Sequence, residues 1–329
     1  MKETHEQASS LPPGRLLPAV LVLLLLALVG WGGRVPAKGT GETPMPQAET
    51  PAPQADTPAP RNPALVRVLC SFYPMYVMAL NVAGGLPGVT IECMTEPFVG
   101  CLHDYQLTPA NLKTLGRADV FIANGAGMET FLEKALRQSP RLKIIEASRG
   151  LKLAFNGNAH VWLSLAGAAQ EVRNIAEGLA AADPGRAAAY RANAAAYMAR
   201  LEALRAKGQA ALAGLKHRDI ITFHEAFPYF AREFNLRVVA VVEREPGAEP
   251  SAGELARTIE TVRRGQVAAL FAEPQYPAKS AEVIRRETGV PVRILDPAVT
   301  GPRDPAQARD SYLVTMEKNL NVLAEALKN

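Results

Sequence analysis

From Leu65 onward, strand-like and helix-like segments alternate in two stretches of the chain, separated by sequence that is helical throughout. Such alternation is typical of a parallel sheet with helices on both faces. The sequence therefore predicts an α/β protein of two lobes, at residues 64–165 and 216–329, joined by connecting helices at residues 166–215. The predicted strands are Val66–Tyr73, Val89–Met94, Asp119–Ala123, Leu142–Glu146, Asp219–Phe223, Arg237–Val242, Ala268–Ala272 and Val292–Leu295. The helices predicted within the lobes are Met75–Val82, Met128–Arg137, Phe227–Phe234, Ser251–Arg264, Ala278–Thr288 and Ala308–Leu327, and one more begins at Thr108 and Pro109.

The connecting region is predicted to contain a helix at Ala166–Ala181 and then one long helix, which starts at Asp183 and Pro184. Apolar and small residues recur along the long helix with 4-3 spacing, so that they form a narrow stripe of roughly 45 Å. This stripe suits a strut that lies across both lobes, although an ordinary surface helix is the alternative. The stripe residues are Tyr190, Ala194, Tyr197, Leu201, Leu204, Gly208, Ala211 and Leu215.

Two segments precede the first lobe. Residues 1–33 contain an uncharged apolar run, Leu16–Gly33, which is either a signal peptide or, as we favour, an uncleaved membrane anchor. Residues 34–63 contain eight prolines and a repeated unit that starts at Glu42 and again at Glu49. This composition predicts a disordered linker that reaches up to about 90 Å. We therefore expect an extracytoplasmic protein, tethered to the outer face of the cytoplasmic membrane or secreted if the N-terminus is cleaved.

Composition excludes two classes of protein. An apolar content of 48% and a mean hydropathy of -0.01 do not fit a polytopic membrane protein. The net charge of +4 is small, and no block of Lys and Arg with interleaved aromatic residues occurs, so we expect no nucleic-acid partner.

Three of the five histidines fall in loops beside predicted strands and helices. His103 follows the strand Val89–Met94, His160 precedes the first connecting helix, and His224 directly follows the strand Asp219–Phe223. Asp296 directly follows the strand Val292–Leu295. Ligands of open parallel sheets bind outside the carboxyl ends of the strands. Each predicted lobe contributes two of the four residues, and three imidazoles with one carboxylate suit zinc.

Other residues with ligand chemistry leave alternatives open. Glu225 and Glu273 are either acceptors or bases beside a metal-bound histidine, or ordinary loop and helix-start acids. Cys101 lies two residues before His103, but we favour a disulfide with Cys93 or burial over a role as a ligand. Cys93 and Cys101 could bridge a loop, and buried free thiols are the alternative. His5 and His217 are expected to be solvated or outside the fold.

Four motifs in order resemble those of the substrate-binding proteins of zinc and manganese ABC transporters, over about residues 66–327. His103-Asp-Tyr with a following Leu-Thr-Pro is similar to the first ligand motif of that family. Asn158-Ala-His-Val-Trp-Leu-Ser is similar to the second, and Thr222-Phe-His-Glu-Ala-Phe-Pro to the third. Leu295-Asp-Pro is similar to the region of the acidic fourth ligand.

The resemblance implies two α/β lobes joined by one long helix, with a metal held in the cleft by His103, His160, His224 and Asp296. It also implies a monomer that delivers the metal to a membrane permease with a cytoplasmic ATPase, without catalysis. His224 at the third position favours Zn2+, with Mn2+ as the alternative. The chain departs from the family in having no lipoprotein cysteine after its apolar run and no His-rich loop at Phe155–Ala159.

Two functions of other classes compete with a metal receptor. A zinc hydrolase would use three protein ligands, a bound water and a general base, for which Glu225 is the candidate. A surface adhesin would keep the fold and merely retain the metal.

Overall fold

The computed structural model describes residues 65–96, 102, 105–242, 250–265, 267–275 and 279–328. The predicted membrane segment at residues 1–33 and the predicted linker at residues 34–63 lie outside the described residues. Among the helices that are described, none combines the length and the apolar character that crossing a membrane requires.

The first lobe contains a parallel sheet with the strand order β2-β1-β3-β4. Strand β1 pairs with β2 on one side and with β3 on the other, and β3 pairs with β4. Parallel neighbours need crossover connections, and helices supply most of them here. The strands are β1 Val66–Cys70, β2 Val89–Cys93, β3 Val120–Ala123 and β4 Lys143–Glu146.

The second lobe repeats this arrangement in the order β6-β5-β7-β8, again with all neighbours parallel. Its strands are β5 Asp219–Thr222, β6 Arg237–Val241, β7 Leu270–Ala272 and β8 Val292–Ile294. The two-lobed α/β fold predicted from the sequence is therefore confirmed, and every predicted strand is present, each of them shorter by one to three residues.

Helices cover the sheets and connect the lobes. They are α1 Tyr73–Ala83, α2 Pro109–Leu115, α3 Glu133–Arg137, α4 Leu165–Ala182, α5 Ala187–Leu212, α6 Pro228–Glu233, α7 Ala252–Arg264, α8 Lys279–Thr288 and α9 Pro305–Ala326. The predicted start of α2 is confirmed: Thr108 is the N-cap, its hydroxyl accepts from the Asn111 amide, and Pro109 is the first helical residue. The helix predicted at Met128–Arg137 is wrong in its first half, which consists of turns and a 3-10 turn at Thr130–Leu132 before α3.

The long helix α5 is the predicted strut. Near its start, the Asn193 side chain donates to the Val82 carbonyl of α1 in the first lobe. Near its end, Gly208 lies so close to Leu320 and Phe234 that a Cβ there would be 2.8 Å from both side chains. The predicted stripe is buried from Tyr190 to Gly208, and burial then continues at Leu212 rather than at Ala211.

Several polar contacts hold the lobes against each other. Trp162 lies in the 3-10 turn Val161–Leu163, shortly before α4, and its indole N–H donates to the Pro297 carbonyl after β8 at 2.9 Å. Glu233 at the end of α6 accepts from the first two amides of α4, those of Leu165 and Ala166, at 2.6 and 3.0 Å. The bond between Trp162 and Pro297 joins residues close to His160 and Asp296, so it fixes where these two segments meet.

Candidate metal centre

The carboxyl edge of the second sheet carries three of the polar residues identified from the sequence. His224 lies two residues after the end of β5, Glu273 directly follows β7, and Asp296 lies two residues after β8. Because the strands are parallel and adjacent in the sheet, these side chains start from one edge. His160 reaches the same region from the first lobe, where it directly precedes the 3-10 turn Val161–Leu163.

His160 and His224 meet at the boundary of the lobes. Their ring centroids are 4.9 Å apart and the rings are nearly perpendicular, with an interplanar angle of 83°. Only 1% of His160 and 2% of His224 is exposed. The Trp162 ring packs against His160 at 5.0 Å and covers it. Two imidazoles that the sequence separates by 64 positions are thus brought together and shielded from water.

Each imidazole is held through Nδ1. The Nδ1 of His160 is 3.0 Å from the Asn158 side-chain oxygen, which also accepts from the His160 amide. The Nδ1 of His224 is 3.2 Å from the Glu273 carboxylate, which is 3% exposed. Since both partners are acceptors, Nδ1 carries the proton in each neutral ring, and Nε2 carries the lone pair. This is the tautomer in which a histidine binds a metal through Nε2 while a neighbouring group orients it.

Asn158 also joins the two lobes. Its side-chain amide donates to the Glu225 carbonyl at 2.8 Å, and its own carbonyl accepts from the Tyr229 hydroxyl at 2.8 Å. The preceding turn has positive φ at Phe155, Asn156 and Gly157, with values of 54°, 58° and 81°. The sequence analysis did not assign a role to Asn158, because an amide two residues before a histidine is not itself a typical zinc ligand.

Asp296 lies beside the histidines but makes other contacts. Its carboxylate accepts from the Ala298 amide at 2.9 Å and from the Gln275 side chain at 3.3 Å, and the residue is half-buried. Within the described ranges, no three His, Cys, Asp or Glu side chains converge closely enough to hold a metal ion. His103 lies outside the described residues. The roles of Asp296 and His103 as ligands therefore stay predictions.

The other acidic residues and histidines considered from the sequence differ in burial and in contacts. Glu273 is the acceptor beside His224, whereas Glu225, the candidate general base of a zinc hydrolase, is exposed. His217, half-buried, follows the long helix, and its backbone amide donates to the Leu327 carbonyl. His5 lies outside the described residues.

Cys70 and Cys93 are free thiols, so Cys93 does not form the disulfide with Cys101 that we considered. They are register partners on β1 and β2. Burial raises the pKa of the Cys70 thiol well above its usual range and also raises the pKa of the Cys93 thiol. Both are therefore thiols rather than thiolates at neutral pH, and thiolates are the form that binds metals. Cys101 lies outside the described residues.

Comparison with known proteins identifies the family. Residues 68–326 match the family model of the zinc-uptake complex component A, periplasmic. The chain belongs to this family.

Three known proteins illustrate what this chain is similar to in sequence and fold. The zinc-binding lipoprotein AdcA of Streptococcus pneumoniae is 29% identical over 79% of this chain and 55% of its own length. The high-affinity zinc uptake system protein ZnuA of Bacillus subtilis is 27% identical over 80% of this chain and 88% of its own. The solved structure of FpvC from Pseudomonas aeruginosa in complex with Mn2+ has a TM-score of 0.72 and 31% identity, covering 80% of this chain and 98% of that one.

Membership of the zinc-uptake component A family confirms the resemblance seen in the four motifs. The family is that of a zinc-uptake component, and neither its description nor the names of the two curated relatives refers to an enzyme. The chain spans about half the length of the first curated relative it matches.

Proposed function

We propose that this chain is an extracytoplasmic receptor that captures Zn2+ between its two lobes and delivers it to an ABC transporter for import. The observation that carries the proposal is the pair of buried imidazoles from opposite lobes, His160 and His224. Each is in the tautomer in which the lone pair of Nε2 is the one that can bind a metal. Two imidazoles held in this way form half of a tetrahedral zinc site before the metal arrives.

The remaining ligands in this proposal are His103 and Asp296. Asp296 follows β8, and Glu273 follows the neighbouring strand β7. The residue after Asp296, Pro297, accepts a hydrogen bond from Trp162, whose ring packs on His160. To bind the same ion as the imidazoles, the Asp296 carboxylate would leave its contacts with the Ala298 amide and the Gln275 side chain. Three neutral imidazoles and one carboxylate make a closed four-coordinate site, which suits capture rather than hydrolysis.

Zinc is the proposed cargo because imidazole nitrogen suits this borderline-soft ion better than it suits Mn2+, which prefers oxygen. The names of the matched relatives from Streptococcus pneumoniae and Bacillus subtilis refer to zinc, which supports the same choice. The FpvC complex holds Mn2+, so manganese is the competing cargo.

The proposed partners are a membrane permease and a cytoplasmic ATPase, because the family consists of uptake components. We further propose that the receptor acts as a monomer, attached through residues 1–33 to the outer face of the membrane. Residues 34–63 would then let the lobes reach the permease while they stay tethered.

Zinc titration of the full-length chain, with manganese as competitor, tests the proposal. The wild type is expected to bind one zinc with sub-micromolar affinity and to prefer zinc to manganese. His160→Ala and His224→Ala should each weaken zinc binding by about 100-fold or more, beyond the loss typical of residues that only orient a ligand. The matched control is His217→Ala, which removes a histidine away from the site and should bind zinc as the wild type does.

Equal loss in all three variants would show that zinc binds to the surface, and tighter binding of manganese would reject zinc as the cargo.

A further inference from the structure

Glu171 is a fully buried carboxyl group on α4. None of the residue is exposed, and among the residues that the structure describes, neither of its side-chain oxygens has a hydrogen-bond partner. Acidic side chains are almost never fully buried unless they are paired. An ionised carboxylate in this position would lose its hydration and gain no hydrogen bond in return.

The charged group that acts on Glu171 has the same sign. Glu129, in the turn after β3, is 7% exposed and interacts electrostatically with Glu171. Its carboxylate accepts from the Asn124 and Gly125 amides at 2.7 and 3.0 Å. Hydrogen bonds from two amides favour the ionised form of Glu129, but burial outweighs them and raises the pKa of this carboxyl. A negative charge on either carboxyl opposes one on the other.

The helices around Glu171 offer hydroxyl groups rather than cations. Tyr312 of α9 is fully buried and interacts with Glu171 and with Tyr197 of α5, whose hydroxyl lacks a partner within the described residues. On α1, the Tyr73 hydroxyl bonds to the Pro302 carbonyl and to the Ser311 hydroxyl, and the Tyr76 hydroxyl donates to the Arg303 carbonyl.

The remaining neighbours of α4 contribute no charge at Glu171 either. The charged residues of β4, Lys143 and Glu146, are exposed, and the 3-10 turn before α4 contains only Val161, Trp162 and Leu163. Within the described part of the chain, no Lys, Arg or His acts on the Glu171 carboxyl.

We propose that Glu171 is a proton-binding site at the junction of α4, α5 and α9, and that the folded protein holds it as a neutral carboxylic acid. The proton lets the carboxyl lie between the helices without a counter-charge. The junction is connected to the proposed metal site, because the Tyr312 hydroxyl donates to the carbonyl of Trp162, the residue that packs on His160. Ionisation would draw water into this junction.

The direction of the pH effect follows from burial, which raises the pKa of Glu171 well above its usual range, with the nearby Glu129 adding to the rise. Folding therefore takes up a proton at any pH between the unfolded pKa, about 4.3, and the raised folded value. The stabilising contribution of the neutral group is complete below the unfolded pKa, and stability falls as the pH rises toward the folded pKa. Glutamine has the shape of the protonated acid and cannot ionise, so Glu171→Gln should remove this slope.

The test uses metal-free, full-length protein, so its result is independent of the proposed zinc binding. Infrared spectra of the wild type at about pH 7 should contain the C=O band of a protonated carboxyl, since an unperturbed glutamate is ionised there. Glu171→Gln should lose this band, raise the unfolding midpoint, and flatten its decline between about pH 5 and pH 8. The matched control is Glu177→Gln on the same helix, where the carboxylate is paired with Arg191 at the surface. It should keep both the band and the slope.

Absence of the band in the wild type would overturn the proposal, whatever the stability of the variants. So would persistence of the band in Glu171→Gln, because the proton would then reside on another group such as Glu129. A Glu171→Gln variant whose unfolding midpoint declines between about pH 5 and pH 8 as steeply as that of the wild type would equally contradict it, since the slope would then come from another group.

Discussion

At the scale of single residues, the two imidazoles of the proposed site are oriented by different chemistry. Asn158 holds His160 through a neutral amide oxygen, and Glu273 holds His224 through a carboxylate. A carboxylate acceptor increases the basicity of the imidazole and stabilises the charge that a bound cation places on it. His224 is therefore the histidine whose metal affinity depends most on its partner.

Glu273→Gln should weaken zinc binding by about 10-fold or more, the range seen when partners of metal-bound histidines are replaced. The physical reason is that glutamine offers a weaker acceptor, or an amide donor, to Nδ1 of His224. The control is Glu225→Gln, which alters the acid next to His224 in sequence but has an exposed side chain. Unchanged zinc affinity in Glu273→Gln, measured by competition with a chromophoric chelator, would mean that Glu273 does not orient the ligand.

Residue-level prediction from the sequence succeeded where position along a strand determines the location of a side chain. His224, Glu273 and Asp296 all follow strand ends, and the structure places all three at the carboxyl edge of one sheet. Asn158 could not be predicted in this way. Its contacts depend on three consecutive residues with positive φ and on a backbone carbonyl of the other lobe, neither of which leaves a periodic signal.

At the scale of helices and strands, the limits of prediction lie in the caps and in tertiary contacts. The start of α9 was predicted at Ala308, but the helix begins at Pro305, because Asp304 accepts from the amides of Ala306 and Gln307. The false first half of the helix predicted at Met128–Arg137 has a local cause, a side chain that bonds to the backbone four and five residues before it. Glu129 turns its carboxylate back to the amides after β3, and this holds the chain in a turn.

The long helix α5 shows why a repeat read from sequence drifts from the buried face. A 4-3 spacing averages 3.5 residues, whereas a straight helix has 3.6 per turn, so the predicted stripe rotates away over several turns. After Gly208 the next buried residue is Leu212, one position beyond the predicted Ala211. Gly208 fits at this buried position because it has no side chain, and Leu320 and Phe234 occupy the space that a side chain would need.

Gly208→Ala should therefore lower the free energy of unfolding by about 1–3 kcal/mol, although alanine is the better helix former. The added methyl group would lie 2.8 Å from the side chains of Leu320 and Phe234. The matched control is Gly253→Ala in α7, where the nearest atom is 3.6 Å away on a flexible arginine. That change should be neutral or stabilising by up to about 1 kcal/mol. Denaturant titration measures both, and a stabilised Gly208→Ala would contradict the close packing of α5 on the second lobe.

At the scale of the whole molecule, Glu233 links the two lobes. It ends α6 in the second lobe, yet its carboxylate accepts from the first amides of α4 and from Arg205 of α5. Its side chain is only 6% exposed. A carboxylate at a helix N-terminus is favoured by the helix dipole and by the unpaired amides of the first turn. We expect the lobes to unfold together, in one transition.

Glu233→Gln should lower the free energy of unfolding by about 2–3 kcal/mol, because glutamine leaves Arg205 and one amide of α4 without a charged acceptor. Glu202→Gln is the control, since Glu202 also contacts Arg205 but has an exposed side chain. An exposed pair of this kind contributes about 0–1 kcal/mol. Calorimetry should show a single transition in the wild type and both variants. Equal losses in the two variants would mean that Glu233 does not join the lobes.

The central claim, zinc held between the lobes through Nε2 of His160 and His224, is tested most directly by a crystal structure of the zinc complex measured at the zinc absorption edge. We expect one anomalous peak between the lobes, with both Nε2 atoms at about 2.0–2.1 Å from the zinc ion. His103 and Asp296 are predicted to complete the tetrahedron, while Nδ1 of His224 stays bonded to Glu273. A zinc ion bound elsewhere, or through Nδ1 of either histidine, would show that His160 and His224 do not hold the metal in this way.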